Sequence, residues 1–191
     1  RVISKKKGLT RFSKTEEFLY FRNDSVIKLF SDQSVAQNRA RRAEHLAGLV
    51  PEGLRYEKFI ISYRKFQGEV LYNSADPQLF SRLLIFLKLY LWVPFTLSKE
   101  EEAGFNRCCR QFYEEKTRTR VKKYFDEYSI KDTPSVINGC YVPSVEELLS
   151  LIDFGMLEKG VATGFHGDLQ FDNIILGDTG EFKLIDWRQD F

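Results

Sequence analysis

The sequence predicts an α+β protein: a small antiparallel sheet with one helix, then a mainly helical part into which a late β-hairpin is set. Three observations predict it. Up to about Gly68, short apolar runs are separated by turn residues, with one intervening stretch of helical period. From Asp76 the apolar spacing becomes helical. Near the end, "NIIL" and "EFKLID" return to short runs on either side of a turn at Gly177–Gly180.

The opening "RVISKKKGLTRFSK" is basic and holds a single glycine, Gly8. "EEFLYFR" and "SVIKLF" read as strands joined by the turn Asn23–Asp24. "SVAQNRARRAEHLAG" reads as a helix, with Ser34 and Gln37 as a capping box and Gly48 as its stop. "LRYEKFIISYRKFQG" holds one or two strands and ends in a turn at Gly68. These segments make a β-rich lobe, residues 1–67, and the remainder, 68–191, a helical lobe.

In the second part, Asp76 is placed to cap a helix whose first residue is Pro77. "LFSRLLIFLKLYLW" is apolar nearly all round, which predicts a central, buried helix. Ser98 and Glu101 form a capping-box signature before a long charged helix. On that helix Phe105, Cys108, Phe112, Val121, Tyr124 and Tyr128 recur at helical spacing as a packing face. "SVEELLSLID" is a further helix, capped by Ser144.

Composition narrows the function classes. A nucleic-acid binder using the basic clusters Lys5–Lys7 and Arg39–Arg42 is a third and weaker reading, because the net charge of +2 gives no general attraction to nucleic acid. The apolar run Leu79–Leu97 contains Arg82, Lys88 and Pro94, so no membrane span is expected. Three cysteines without a CxxC spacing, and only two histidines, argue against a zinc site and for a reduced, cytoplasmic setting. The chain starts at Arg1 and stops at Phe191 directly after a motif, so a fragment is expected.

The chemistry concentrates in "FHGDLQFDNIIL" and "LIDW". His166, Asp168 and Asn173 lie on a loop that enters the strand "NIIL", and Asp186 ends the paired strand. A hairpin centred on Gly177–Gly180 brings Asn173 and Asp186 to the same end. An amide oxygen beside a carboxylate suits a hard cation such as Mg²⁺. Asp168, five residues before Asn173, is placed to accept a proton from a hydroxyl nucleophile near that ion. Taken singly, each residue is an ordinary turn or strand-end cap; their combination in this order is what points to a site.

His166-Gly167-Asp168, then Asn173, then Asp186 resembles the catalytic loop and metal aspartate of the protein-kinase-like fold. Gly after His, and Asp-Trp in place of Asp-Phe-Gly, resembles the aminoglycoside phosphotransferase and choline kinase branch. "FHGDLQFDNIIL" with "IDWRQDF" is similar to bacterial phosphotransferases associated with capsule or surface-polysaccharide genes. The resemblance implies a two-lobe fold, with nucleotide bound by the first lobe and the catalytic loop carried by the second, whose last helices are missing here. It implies that Asp168 orients the acceptor hydroxyl as base, that His166 braces the loop, and that Asn173 and Asp186 hold Mg²⁺ on ATP. Gln170, Asp172, Trp187 and Arg188 are candidates to face substrate, Arg188 for an anionic acceptor such as a sugar phosphate.

The same resemblance asks for a strand lysine held by a helix glutamate, and Lys28 in "VIKLF" with Glu44 in the following helix fit that pattern. Main-chain groups of Ser62, Tyr63 and Arg64 would meet an adenine edge. The segment Gly8–Thr15, with Ser13 and Thr15, would cover phosphates through backbone N–H groups, with Lys5–Lys7 and Lys14 adding charge. Gly167 stands where protein kinases carry Arg, and no Ala-Pro-Glu follows. Both departures imply a small-molecule acceptor. The sequence therefore leads to an ATP- and Mg²⁺-dependent phosphotransferase acting on a hydroxyl of a sugar or amino alcohol, used in surface-polysaccharide synthesis. The alternative is an inactive pseudokinase that only binds nucleotide, favoured by the glycine-poor phosphate segment.

Overall fold

The computed structural model describes residues 4–6, 9–13 and 16–188, and the strand residues before 16 by their backbone alone. Strands β1 (Ser4–Lys6), β2 (Leu9–Ser13), β3 (Glu17–Arg22) and β4 (Ser25–Phe30) form an antiparallel meander. The turn between β3 and β4 uses Asn23 at φ 49°, a conformation asparagine tolerates better than most residues. Helix α1 (Gln33–His45) follows, then β5 (Arg55–Glu57) and β6 (Ile60–Arg64), which close a six-stranded sheet of order β1-β2-β3-β4-β6-β5. The lysine-rich start of the chain shows no apolar alternation, so β1 was not legible as a strand; it is held by its ladder to β2.

The cap of α1 differs from the expected Ser34–Gln37 box. Asp32, in extended conformation, accepts the Ser34 N–H at 2.7 Å and so is the N-cap; Ser34 already lies in the first turn. The helix buries a stripe of Ala36, Arg39, Ala40 and Ala43, continued by Leu46. Small alanines let it pack closely against Val26, Phe30 and Ile61 within one apolar core.

After β6 the chain forms β7 (Glu69–Val70) and helix α2 (Pro77–Tyr90). Asp76 caps α2 by accepting the Leu79 N–H at 2.7 Å, with Pro77 in the first turn. Only one stripe of α2 is buried: Leu79, Leu83, Leu87 and, just beyond, Leu91. Ile85 and Leu89 are 60% and 59% exposed, which corrects the expectation of a helix buried all round. Periodicity reports how apolar each face is, whereas burial depends on which faces meet a neighbour.

Helix α3 (Lys99–Arg110) begins with the expected capping box, both bonds present at Ser98 and Glu101. It runs through one π-type stretch, Gln111–Glu115, into α4 (Lys116–Tyr128). A π turn takes an extra residue and rotates the following face. Phe105, Cys108, Phe112 and Val121 are half-buried, while Tyr124 and Tyr128 of the expected packing face are exposed and Phe125 is half-buried instead. The hairpin β8 (Ser135–Ile137) and β9 (Cys140–Val142) turns on Asn138–Gly139, an Asn-Gly pair that signals a two-residue hairpin. Ser144 caps α5 (Val145–Ser150) with a second capping box to Glu147, and α6 (Phe154–Glu158) follows.

The late hairpin is β10 (Ile174–Leu176) and β11 (Phe182–Leu184), joined through Gly177–Gly180 as expected. It is a three-stranded sheet, order β11-β10-β7, because β7 pairs with β10. Gly68 makes this approach possible: a Cβ there would lie 2.2 Å from the Leu176 carbonyl oxygen. The chain divides into two compact units, Arg1–Pro94 with Thr163–Asp190, and Phe95–Ala162. The late hairpin thus belongs to the same unit as the six-stranded sheet, a different cut from a division after residue 67. Among the described residues no helix is long and apolar enough to cross a membrane.

Candidate functional site

Among the described residues of the first unit, four charged side chains meet inside the protein. Lys28 on β4 lies in the strand's buried row with Val26 and Phe30. The β3–β4 register sets Leu19 opposite Lys28, so Glu17, two residues along β3, is on the same face. Lys28 Nζ donates to Asp186 Oδ1 at 2.5 Å and lies 3.4 Å from Glu17 Oε1. Arg39 Nη1 lies 3.2 Å from Glu17 Oε2 and 3.6 Å from Asp186 Oδ1. Two cations and two carboxylates compensate one another, as buried charges must. Burial opposes the Lys28 ammonium, but Tyr63, Asp186 and Glu17 around it outweigh burial, and its pKa is raised.

This arrangement corrects the expected Lys28–Glu44 pair. Glu44 is exposed on α1, beside the buried stripe rather than on it. The charged residue α1 turns inward is Arg39, and Lys28 takes its carboxylates from Asp186 and from Glu17 on the neighbouring strand. A charged residue on an otherwise alanine-rich stripe was the signal in the sequence that could have found Arg39.

Lys28, Glu17, Asn173 and Asp186 all line one cavity of about 400 Å³. Its other walls are largely apolar, among them Leu19, Phe21, Val26, Tyr63, Ile175 and Ile185. Ser62 and Arg64, expected at a nucleotide edge with Tyr63, are laddered within β6, between β4 and β5. Only Tyr63 of the three lines the cavity. The segment that borders it is Lys65, Phe66 and Gly68, where the chain has left the ladder. Of the residues expected to cover phosphates, Lys7, Gly8, Lys14 and Thr15 lie outside the described residues, as does the Ser13 side chain.

Of the catalytic-loop candidates, Asn173 and Asp186 line this cavity, and Asn173 is bonded in turn to the main chain of Asp168. The Phe171–Asn173 turn is a single 3-10 turn that leads directly into β10. Asn173 is buried, and its Nδ2 donates to the Asp168 carbonyl oxygen at 2.8 Å, so its side-chain oxygen is the atom left for a ligand. The Ile185 N–H donates to the Asn173 carbonyl at 2.8 Å, which ties the turn to the end of β11. Asp186 adopts φ 59°, a left-handed conformation that aspartate and asparagine enter more readily than most residues. Among the described residues no group of three or more His, Cys, Asp or Glu side chains could hold a metal. Asn173 with Asp186 offers two oxygen donors, which fits an ion that takes its other ligands from phosphate and water.

His166 is 2% exposed. Its Nδ1 accepts the Asp168 N–H at 3.4 Å, and its carbonyl accepts the Arg188 N–H at 2.9 Å. Burial pushes its pKa down to about 4, partly offset by the Ile185 main chain and by Asp168 and Asp186. It is therefore a neutral structural imidazole at neutral pH. The Asp168 carboxylate is engaged on both oxygens: Oδ2 accepts from Arg188 Nε at 3.0 Å and Nη2 at 2.5 Å, and Oδ1 from Gln170 Nε2 at 3.3 Å. Gly167, at φ 86°, makes room for Arg188; a Cβ there would lie 2.7 Å from the Arg188 Cβ.

Of the candidates to face substrate, Trp187 is corrected to a core residue. It is 2% exposed, donates its Nε1–H to the Arg39 carbonyl at 2.8 Å, and its ring centroid lies 5.7 Å from that of Tyr63. Its large apolar ring closes the core under the charge cluster. Gln170 and Asp172 are exposed, and Arg188 is partly exposed on Asp168. No protein-family model matches the chain, and no curated protein matches it either.

Proposed function

We propose that this protein is a small-molecule kinase of the aminoglycoside phosphotransferase and choline kinase type, within the protein-kinase-like fold. It would transfer the γ-phosphoryl group of ATP, with Mg²⁺, to a hydroxyl of a sugar or amino alcohol, a reaction suited to surface-polysaccharide synthesis. The observation that carries this reading is that Lys28, Asn173 and Asp186 line one largely apolar cavity, with the Asp168 main chain bonded to Asn173.

Each part has a role in such a reaction. The apolar walls suit a flat purine, and Phe66 and Gln67, which join no ladder, would offer main-chain groups to its polar edge. Lys28, buried and cationic, would pair with phosphate oxygens once a nucleotide competes for it. Magnesium held by Asn173 and Asp186 would neutralise charge on the phosphates. Asp168 would orient the acceptor hydroxyl and take up its proton. The contribution of the protein is positioning and charge neutralisation, with no covalent intermediate.

Calorimetric titration with Mg-ATP tests the nucleotide site, with Asp186→Ala as the control. Binding that needs both Mg²⁺ and Asp186 supports the reading; binding indifferent to both refutes the metal assignment. A second reading, a nucleotide-binding module without transfer, is favoured by one observation: Asp168 and Asp186 are each neutralised internally, by Arg188 and by Lys28. Phosphorylated product from a pool of sugars and amino alcohols, lost in Asp168→Asn with nucleotide binding retained, excludes it.

A further inference from the structure

Arg188 is held on Asp168 by features on two stretches of chain. Its main-chain N–H is fixed on the His166 carbonyl at 2.9 Å. Its side chain passes over Gly167 where any Cβ would collide with it, and its Nε and Nη2 both reach Asp168 Oδ2. These contacts aim the guanidinium, which is more than an exposed cation meeting a nearby acid achieves. The aimed group also has donors to spare: its contacts use Nε and Nη2, and Nη1 has no partner among the described residues. The side chain is one third exposed.

We infer that Arg188 is the phosphoryl-binding residue of the Asp168 site, using Nη1 to hold a phosphoryl oxygen beside the carboxylate. This rests on the kinase reading above. A carboxylate base and a phosphoryl group repel one another when brought to one place, and a guanidinium between them neutralises both. Its planar fork can bond the two anions with different nitrogens, which a lysine ammonium cannot do with fixed geometry. Two sources supply such a group: the γ-phosphate of the nucleotide, or a phosphate carried by the acceptor.

The test compares wild type, Arg188→Met and Arg188→Lys by calorimetry in Mg²⁺. The first probes are ADP and the non-hydrolysable imido analogue of ATP. The second are glycerol 3-phosphate and glycerol, added to protein saturated with that analogue. If Arg188 holds the γ-phosphate, Arg188→Met weakens the analogue about tenfold and leaves ADP unchanged. If it holds an acceptor phosphate, nucleotide affinities stay level and glycerol 3-phosphate binding, absent with glycerol, is lost in Arg188→Met. Arg188→Lys should fall between the two, and it decides the matter if Arg188→Met does not fold. Variants that match wild type with both probe pairs overturn the inference and leave the nucleotide reading standing. A wild type that binds neither nucleotide overturns that reading and the inference together.

Discussion

Acid should destabilise this protein through one buried imidazole. His166 is 2% exposed and its pKa lies at about 4, against 6.5 for the free side chain. The folded state therefore holds it neutral while the unfolded state protonates it. Because the unfolded state binds more protons between these two values, stability falls as pH falls from 6.5 to 4 and levels off below. The full shift corresponds to about 3 kcal/mol, and at pH 5 about 2 kcal/mol of it is already lost relative to pH 8. Carboxylates add their own acid sensitivity, so the measurement is a difference. Urea unfolding of wild type and His166→Gln is followed from pH 8 to pH 4.5. The variant is less stable throughout, since it loses the packing and the bond to the Asp168 N–H, but it has no imidazole to charge at this site. The gap between the two proteins should narrow by about 2 kcal/mol on going from pH 8 to pH 5. Curves that stay parallel would refute a buried, neutral His166, and with it the account of how this loop is braced.

Two further outcomes test the packing and the charge cluster. Glu17→Gln should destabilise by roughly 3 kcal/mol, since it removes a buried carboxylate that faces both Lys28 and Arg39, while exposed Glu44→Gln should change stability by less than about 0.5 kcal/mol; the reverse order would restore the Lys28–Glu44 pair. Leu83→Ala on the buried stripe of α2 should cost about 2–5 kcal/mol in chemical denaturation, and Leu89→Ala, 59% exposed, under about 1 kcal/mol; equal costs would mean that the outer face is covered in solution.

What the sequence determined by itself was mostly local. The caps at Asp76, Ser98 and Ser144, the turn at Asn23–Asp24 and the Gly177–Gly180 hairpin each depend on residues a few positions apart, so their chemistry can be read in order along the chain. The placing of Asn173 and Asp186 at the same end of the late hairpin belongs with these, because a short hairpin fixes its own register. The α+β class followed from the same periodicities.

Tertiary structure decided the partners. Glu17 reaches Lys28 only through the β3–β4 register, and Arg39 reaches both carboxylates only through the rotation of α1 against the sheet. Neither is encoded in spacing, since α1 offers several charged residues that different rotations of the helix would turn inward. Trp187, read as a pocket wall, became core for the same reason: its neighbour Asp186 turns back at φ 59° and delivers the ring to Arg39 and Tyr63. The grip of Arg188 on Asp168 joins residues twenty positions apart across a glycine that admits no side chain. Burial and ion pairing are sums over neighbours from the whole fold, whereas caps, turns and hairpins close on themselves; that difference separates what could be read from the chain alone from what could not.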